Sequence, residues 1–217
     1  DREAYVGDPK FIAVPTAELL SDAYAQRQRD RIDPGRAFGA MPGPGSPGGA
    51  PAARAPVLRA ARGAVPAPAD TIHACVADRH GNAYSATLSD TSYDNPMVPG
   101  MGLSISSRGS QSRLQPEHPA CVAPGKRPRL TPSPALALHE GEFFMAFGRP
   151  GGDIQSQAML HVFLNVTELG MQLQQAIEAP RFGTFSFPNS FAPHPYLPGR
   201  LCVVHPSSMN EMPLPIP

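Results

Sequence analysis

A strand pattern opens at Thr71 directly after a long stretch that cannot build one, and this seam constrains the chain more than any other feature. Of positions 31–70, 26 are Pro, Gly or Ala. The run Met41-Pro-Gly-Pro-Gly-Ser-Pro-Gly-Gly-Ala50 has no apolar periodicity and no strict Gly-X-Y repeat, so neither a packed element nor a collagen-like helix is expected. Such a segment buries too little apolar surface to offset the entropy lost on ordering. The spacing predicts a flexible linker over 34–70, a separate N-terminal segment over 1–33 and a folded core over 71–200.

Upstream of the linker, residues 16–32 read as one helix. Thr16 can cap it, Glu18 sits in its first turn, and Leu19, Leu20, Ala23 and Tyr24 form its apolar side. Arg27, Arg29 and Arg31 suit a helix C-terminus. Downstream, Thr71–Asp78 alternates Ile72, Ala74 and Val76 with His73, Cys75 and Ala77, which is the period of a strand. Arg79–Asn82 is a turn and Ala83–Leu88 the returning strand. Ala135–Leu138, a turn at His139–Glu142 and Phe143–Phe147 repeat the pattern. After Gly148-Arg-Pro-Gly-Gly-Asp153, a helix is expected from Asp153 to about Leu169, with Gly170 as its stop. A short helix over Gln172–Glu178 follows. Residues 181–217 carry 8 prolines and read as irregular or extended, with 201–217 an atypical Pro-rich tail. Hairpins followed by helices predict an α+β fold on antiparallel sheet.

Charge narrows the partners. Lys+Arg and Asp+Glu are 18 each, and a balanced chain lacks the basic excess that nucleic acid attracts. No apolar run reaches the roughly 18 residues that span a bilayer, so no membrane segment is expected. Asp1-Arg-Glu-Ala-Tyr5 lacks the basic and apolar regions of a signal peptide; cytoplasm and periplasm stay equally open. Cys75, Cys121 and Cys202 are too scattered for a disulfide framework, and His73, His80 and His161 too dispersed for a metal centre. Neither metal nor other cofactor is expected. Gly43-Pro-Gly-Ser-Pro-Gly48 matches a dinucleotide fingerprint by letter, but no strand precedes it and no helix follows, so it carries no such meaning.

Two features bear chemistry. Asp70-Thr71 places a hydroxyl where a flexible segment meets a strand. Cleavage there would free an α-amine with a pKa near 8, able to act as base for its own hydroxyl; an ordinary strand-opening Thr is the other reading. Pro150-Gly-Gly-Asp153 lies between a strand and a helix. Its glycine amides can form an oxyanion hole, or the segment is a tight turn with Asp153 as N-cap.

Several further motifs stand in the same order as in a known family. Thr71-Ile-His-Ala-Cys-Val-Ala-Asp-Arg-His-Gly-Asn82, Pro124-Gly-Lys-Arg-Pro128, Arg149-Pro-Gly-Gly-Asp153, Leu164-Asn-Val-Thr-Glu-Leu-Gly-Met171 and Glu178-Ala-Pro-Arg-Phe182 resemble the small subunit of the gamma-glutamyltranspeptidases, in their transpeptidase-like, cephalosporin-acylase-like branch. Residues 1–33 resemble the end of the large subunit. The resemblance implies an N-terminal-nucleophile hydrolase with a four-layer αββα sandwich, of which this chain is a part. It also implies self-cleavage between Asp70 and Thr71, with Thr71 as nucleophile, Ser89 as its supporting hydroxyl, and Gly151 and Gly152 as the oxyanion pair.

The departures bear on substrate. The family's acid for a substrate α-amino group falls near Gln111, with Arg108 where a neutral amide is usual, and its paired serines fall at Leu130 and Thr131. Arg108, Gln111 and Thr131 are thus the expected substrate-binding positions, and their chemistry favours a carboxylate over a zwitterion, since a guanidinium can fork onto a carboxylate. The expected activity is amide hydrolysis or acyl transfer through an acyl-enzyme on Thr71, from glutathione, γ-glutamyl or glutaryl amides to water or an amine. The expected partners are that small molecule and the remainder of the large subunit. The rival expectation is a truncated, non-catalytic fragment.

Overall fold

The computed structural model describes residues 1–49, 71–90, 95–204 and 212–215. Asp70 and most of the predicted linker, 50–70, lie outside the described residues. The chain divides into two compact units. Sequence boundaries follow the expected cleavage point, whereas the units follow packing, and the first unit draws on described residues from both sides of that point.

The first unit contains 1–49, Arg108–Leu130 and Phe185–Gly199. Its helices are α1 (Arg2–Tyr5), α2 (Thr16–Leu19) and α3 (Asp22–Arg29). The single helix expected over 16–32 is broken because Ser21 accepts from the Tyr24 amide at 3.2 Å and becomes the cap of α3; a serine hydroxyl competes with the helix's own ladder. Tyr24 is buried, and Leu20, at the break, is exposed. Residues 41–45, expected to be flexible, are bound into this unit. The Tyr196 hydroxyl accepts from the Met41 amide (2.5 Å), Arg31 Nη2 donates to Gly43 O (2.8 Å), and the Tyr5 hydroxyl donates to Gly45 O (2.6 Å).

Three arginines and a histidine converge on one buried carboxylate in this unit. Glu3 Oε1 accepts from Arg129 Nη2 at 2.7 Å and Arg2 Nε at 3.0 Å; Oε2 lies 2.5 Å from Arg113 Nη2 and 3.3 Å from His118 Nε2. Burial alone would push the Glu3 carboxyl up. The His118 hydrogen bond and the charges of Arg129, Arg2 and Arg113 outweigh it and hold Glu3 far below the usual carboxylate range.

The second unit contains 71–90, 95–107, Thr131–Thr184, 200–204 and 212–215. Hairpin β1 (Ile72–Ala77) and β2 (Ala83–Leu88) pairs Ile72 with Leu88 through Ala77 with Ala83. Asp78 shapes its turn by accepting from the His80 and Asn82 amides. Short strands β3 (Met97–Val98) and β4 (Leu103–Ser104) pair with each other. Hairpin β5 (Ala135–His139) and β6 (Glu142–Phe147) turns at Glu140 and Gly141. Both have positive φ, 52° and 88°, as a two-residue hairpin turn requires. Helix α4 (Gln155–Thr167) packs Phe163 on Phe147 and Asn165 on the Ala176 carbonyl of α5 (Leu173–Glu178).

Of the two readings for the region from 181 onward, irregular or extended, the described residues include extended strands. β7 (Arg181–Thr184), β8 (Arg200–Val204) and β9 (Met212–Pro215) form an antiparallel sheet in that order. β7 is tied to α4 through both ends of the Gln157 amide and Thr184. Prolines permit this because the end strand β9 holds Pro213 and Pro215, and an edge strand needs fewer ladder donors.

Candidate active site

The first hairpin presents two unlike faces. Period-2 geometry puts Ile72, Val76, Tyr84 and Leu88 on one side, and all four are exposed, Ile72 and Tyr84 at 63% and 65%. The other side carries Thr71, His73, Ser85, Thr87 and Ser89, which are buried or half-buried, while Cys75 and Ala77 toward the turn are exposed. The apolar side of a strand is normally the covered one; here the hydroxyl side is covered.

Thr71 stands directly before β1 and is 8% exposed. The register that pairs Ile72 with Leu88 sets Thr71 opposite Ser89, and their hydroxyl oxygens are 2.5 Å apart, with either able to donate. Two pairs along the ladder, on the same face, His73 Nδ1 lies 3.2 Å from Thr87 Oγ1. Next, Ser85 donates to the Phe147 carbonyl at 3.3 Å. That bond ties the end of β6 to the hydroxyl face and delivers the segment Gly148–Gly152 toward it.

Gly151 and Gly152 adopt φ of 131° and 53°, a region open to glycine but strained for other residues. Ile154 N donates to Gly151 O at 3.0 Å, and a single tight turn, Gly152–Ile154, feeds α4. The N-cap position of α4 is Ile154, so Asp153 lies one residue before the position that the turn reading gave it. The Arg149 side chain folds back, Nε donating to Pro150 O at 2.6 Å. Its Nη2 lies 3.1 Å from where a Cβ on Gly151 would stand. The start of α4 also holds the 131–133 segment: Ser133 N donates to Gln155 Oε1 (3.2 Å), and Ser133 Oγ to Thr131 O (3.0 Å). Thr131 is buried.

Thr71, Ser89, Gly151, Gly152 and Thr131 therefore fall in the second unit. Arg108 and Gln111 fall in the first, on the tight turn Ser107–Gln111. Both are buried. Arg108 stacks over Phe191 at 5.2 Å, and Ala192 N donates to Ser110 O beside it. Leu130 is half exposed. Sequence reasoning weighed His73 only as a metal ligand; the signal for another role was its position two residues past Thr71, on the same strand face. Among the described residues, no three His, Cys, Asp or Glu side chains are placed to hold a metal ion, and no helix is long and apolar enough to cross a membrane.

The sequence profile of the gamma-glutamyltranspeptidases matches residues 1–197. The chain belongs to the gamma-glutamyltranspeptidase family. It is 31% identical over 210 residues to the glutathione hydrolase proenzyme of Pseudomonas sp. strain A14, covering 88% of this chain and 32% of that one. It is 32% identical over 186 residues to the acylase ACY 1 proenzyme of Pseudomonas sp. strain SE83, covering 85% of this chain and 30% of that one. Among solved structures, that of LmbA2991HD superposes with a TM-score of 0.80 at 38% identity, covering 94% of this chain and 36% of that one. The chain thus spans about a third of the length of the curated relatives it matches. The family's solved members are N-terminal-nucleophile hydrolases, and the mixed helices and strands described above accord with that class.

Proposed function

We propose that this chain supplies the nucleophile and oxyanion hole of a self-cleaving amide hydrolase or acyltransferase of the family. The observation that carries the reading is the part-buried Thr71–Ser89 hydroxyl pair at 2.5 Å, at the strand opening where the chain would be cut. In maturation, Thr71 Oγ1 attacks the Asp70 carbonyl carbon. The Asp70–Thr71 C–N bond breaks, its nitrogen takes the hydroxyl proton, and water hydrolyses the resulting ester to leave Asp70 as a carboxylate. The freed α-amine then serves as base for the same hydroxyl.

In turnover, Thr71 Oγ1 attacks the substrate amide carbon while its proton passes to the α-amine and on to the leaving amine. Gly151 and Gly152 N–H groups stabilise the negative oxygen of the tetrahedral intermediate; such donors are worth roughly 10²–10³ in rate. Ser89 donates to the Thr71 oxygen and orients it. Water or an amine acceptor resolves the ester. The remainder of the large subunit completes a four-layer αββα sandwich and covers the exposed apolar side of β1 and β2. With Gln111 in place of an acid and Arg108 beside it, the reading favours a carboxylate-tipped acyl group without an α-amine, such as glutaryl. A γ-glutamyl ammonium would lose a charge-assisted bond worth about 1.5–3 kcal/mol.

The test uses the chain together with the remainder of the large subunit. Thr71→Ala is expected to abolish both the piece that begins at Thr71, read by intact mass, and turnover of glutaryl and γ-glutamyl anilides. Cleavage persisting in that variant would sink the nucleophile assignment. A higher kcat/KM for the γ-glutamyl anilide would refute the charge argument alone.

A further inference from the structure

We infer that His73 is a positioning residue whose ring sets where the Gly148–Gly152 segment stands over the Thr71 hydroxyl. The inference rests on the proposed roles of Thr71 and the glycine pair. Its basis is a steric contact. The His73 ring lies flat against Gly148, so a Cβ there would collide with Nδ1 and stand 2.5 Å from Cε1 and 2.9 Å from Cγ. Gly148 does not have a positive φ. It is required by space, unlike Gly151 and Gly152, which are required by conformation.

The ring is itself fixed from below. β1 holds the His73 backbone opposite Thr87, and the Thr87 hydroxyl engages Nδ1 at 3.2 Å. Nε2 is buried and has no hydrogen-bond partner among the described residues. An orphaned buried nitrogen costs stability, and a group kept despite such a cost points to a role in the site. The contact joins two pieces of the proposed machinery at short range. His73 is two residues from Thr71 on one face of the strand, and Gly148 is three residues before Gly151. Phe147 is already tied to Ser85, so the segment leaves β6 with Gly148 resting on the ring. A shift at that point changes the reach of the Gly151 and Gly152 amides toward the oxygen that Thr71 generates.

The experiment measures kcat and KM on the glutaryl anilide, using the self-cleaved chain completed with the rest of the large subunit. Gly148→Ala should lower kcat at least tenfold with KM within about threefold, since roughly 1 Å of misplacement costs up to about 10² in rate. Combining His73→Ala with Gly148→Ala should recover most of that loss, because the methyl then occupies the ring's space. His73→Phe, which keeps a planar ring of slightly larger size and removes the titratable nitrogens, should hold kcat within about tenfold and leave the pH profile of kcat unchanged. Wild-type kcat in Gly148→Ala, no recovery in the double variant, or a lost inflection in the His73→Phe profile would each overturn the steric role. A parent enzyme with no Thr71-dependent turnover would instead overturn the functional reading, and this inference with it.

Discussion

Replacing Glu3 by Gln keeps the shape of the first unit's buried carboxylate and removes its charge. The arginines are then left facing one another: Arg113 and Arg129 are 7% and 8% exposed, while Arg2 is 35% exposed and largely relieved by water. Removing one partner of a buried ion pair costs about 3–5 kcal/mol, because the charge left behind stays desolvated. At roughly 2 kcal/mol per M of urea, the midpoint should fall by about 1.5–2.5 M. The assay is urea unfolding by circular dichroism, with hydrogen exchange to localise the loss to residues 1–49, 108–130 and 185–199. Acid supplies an independent check. The folded protein holds Glu3 below its unfolded value, so its contribution is complete above about pH 5 and is lost as pH falls toward the depressed native value. The wild type should destabilise over that window while Glu3→Gln shows a flatter curve, and the two should converge in acid. A midpoint shift under about 0.5 M, or parallel pH curves, would refute the reasoning by showing that the arginines are solvated without Glu3.

Ser89→Ala should lower kcat about tenfold with little change in KM, since one hydrogen bond to the attacking oxygen is worth about 1–1.5 kcal/mol; wild-type kcat would remove Ser89 from the proposed machinery. Gln155→Ala should destabilise by about 1–3 kcal/mol in thermal unfolding, because it strips the part-buried Ser133 amide of its acceptor, and Gln155→Met, which keeps the volume but not the acceptor, should lose nearly as much; wild-type stability in Gln155→Met would show that the bond is not the cause.

The sequence by itself determined what is local. Both hairpins were legible from period-2 alternation and turn residues, within a residue or two of their observed ends. The glycine pair was legible as the joint between a strand and a helix, and Thr71 as the first residue after a segment with no apolar periodicity. Tertiary structure decided whatever depends on partners far along the chain. The Glu3 cluster joins charges more than 100 residues apart, and no local pattern marks them as a set. Strands β7 and β8 pair across an intervening stretch and β9 adds to them from a proline-rich end, so composition alone left irregular and extended structure undivided and gave no pairing. The break at Ser21 was one hydroxyl outcompeting a continuous helical pattern. Most telling is the first hairpin: alternation identified its two faces but not which would be covered, because that depends on what packs against each. In this chain β6 and the Gly148 segment cover the hydroxyl face, and that places His73, Gly148 and the Thr71–Ser89 pair in one neighbourhood.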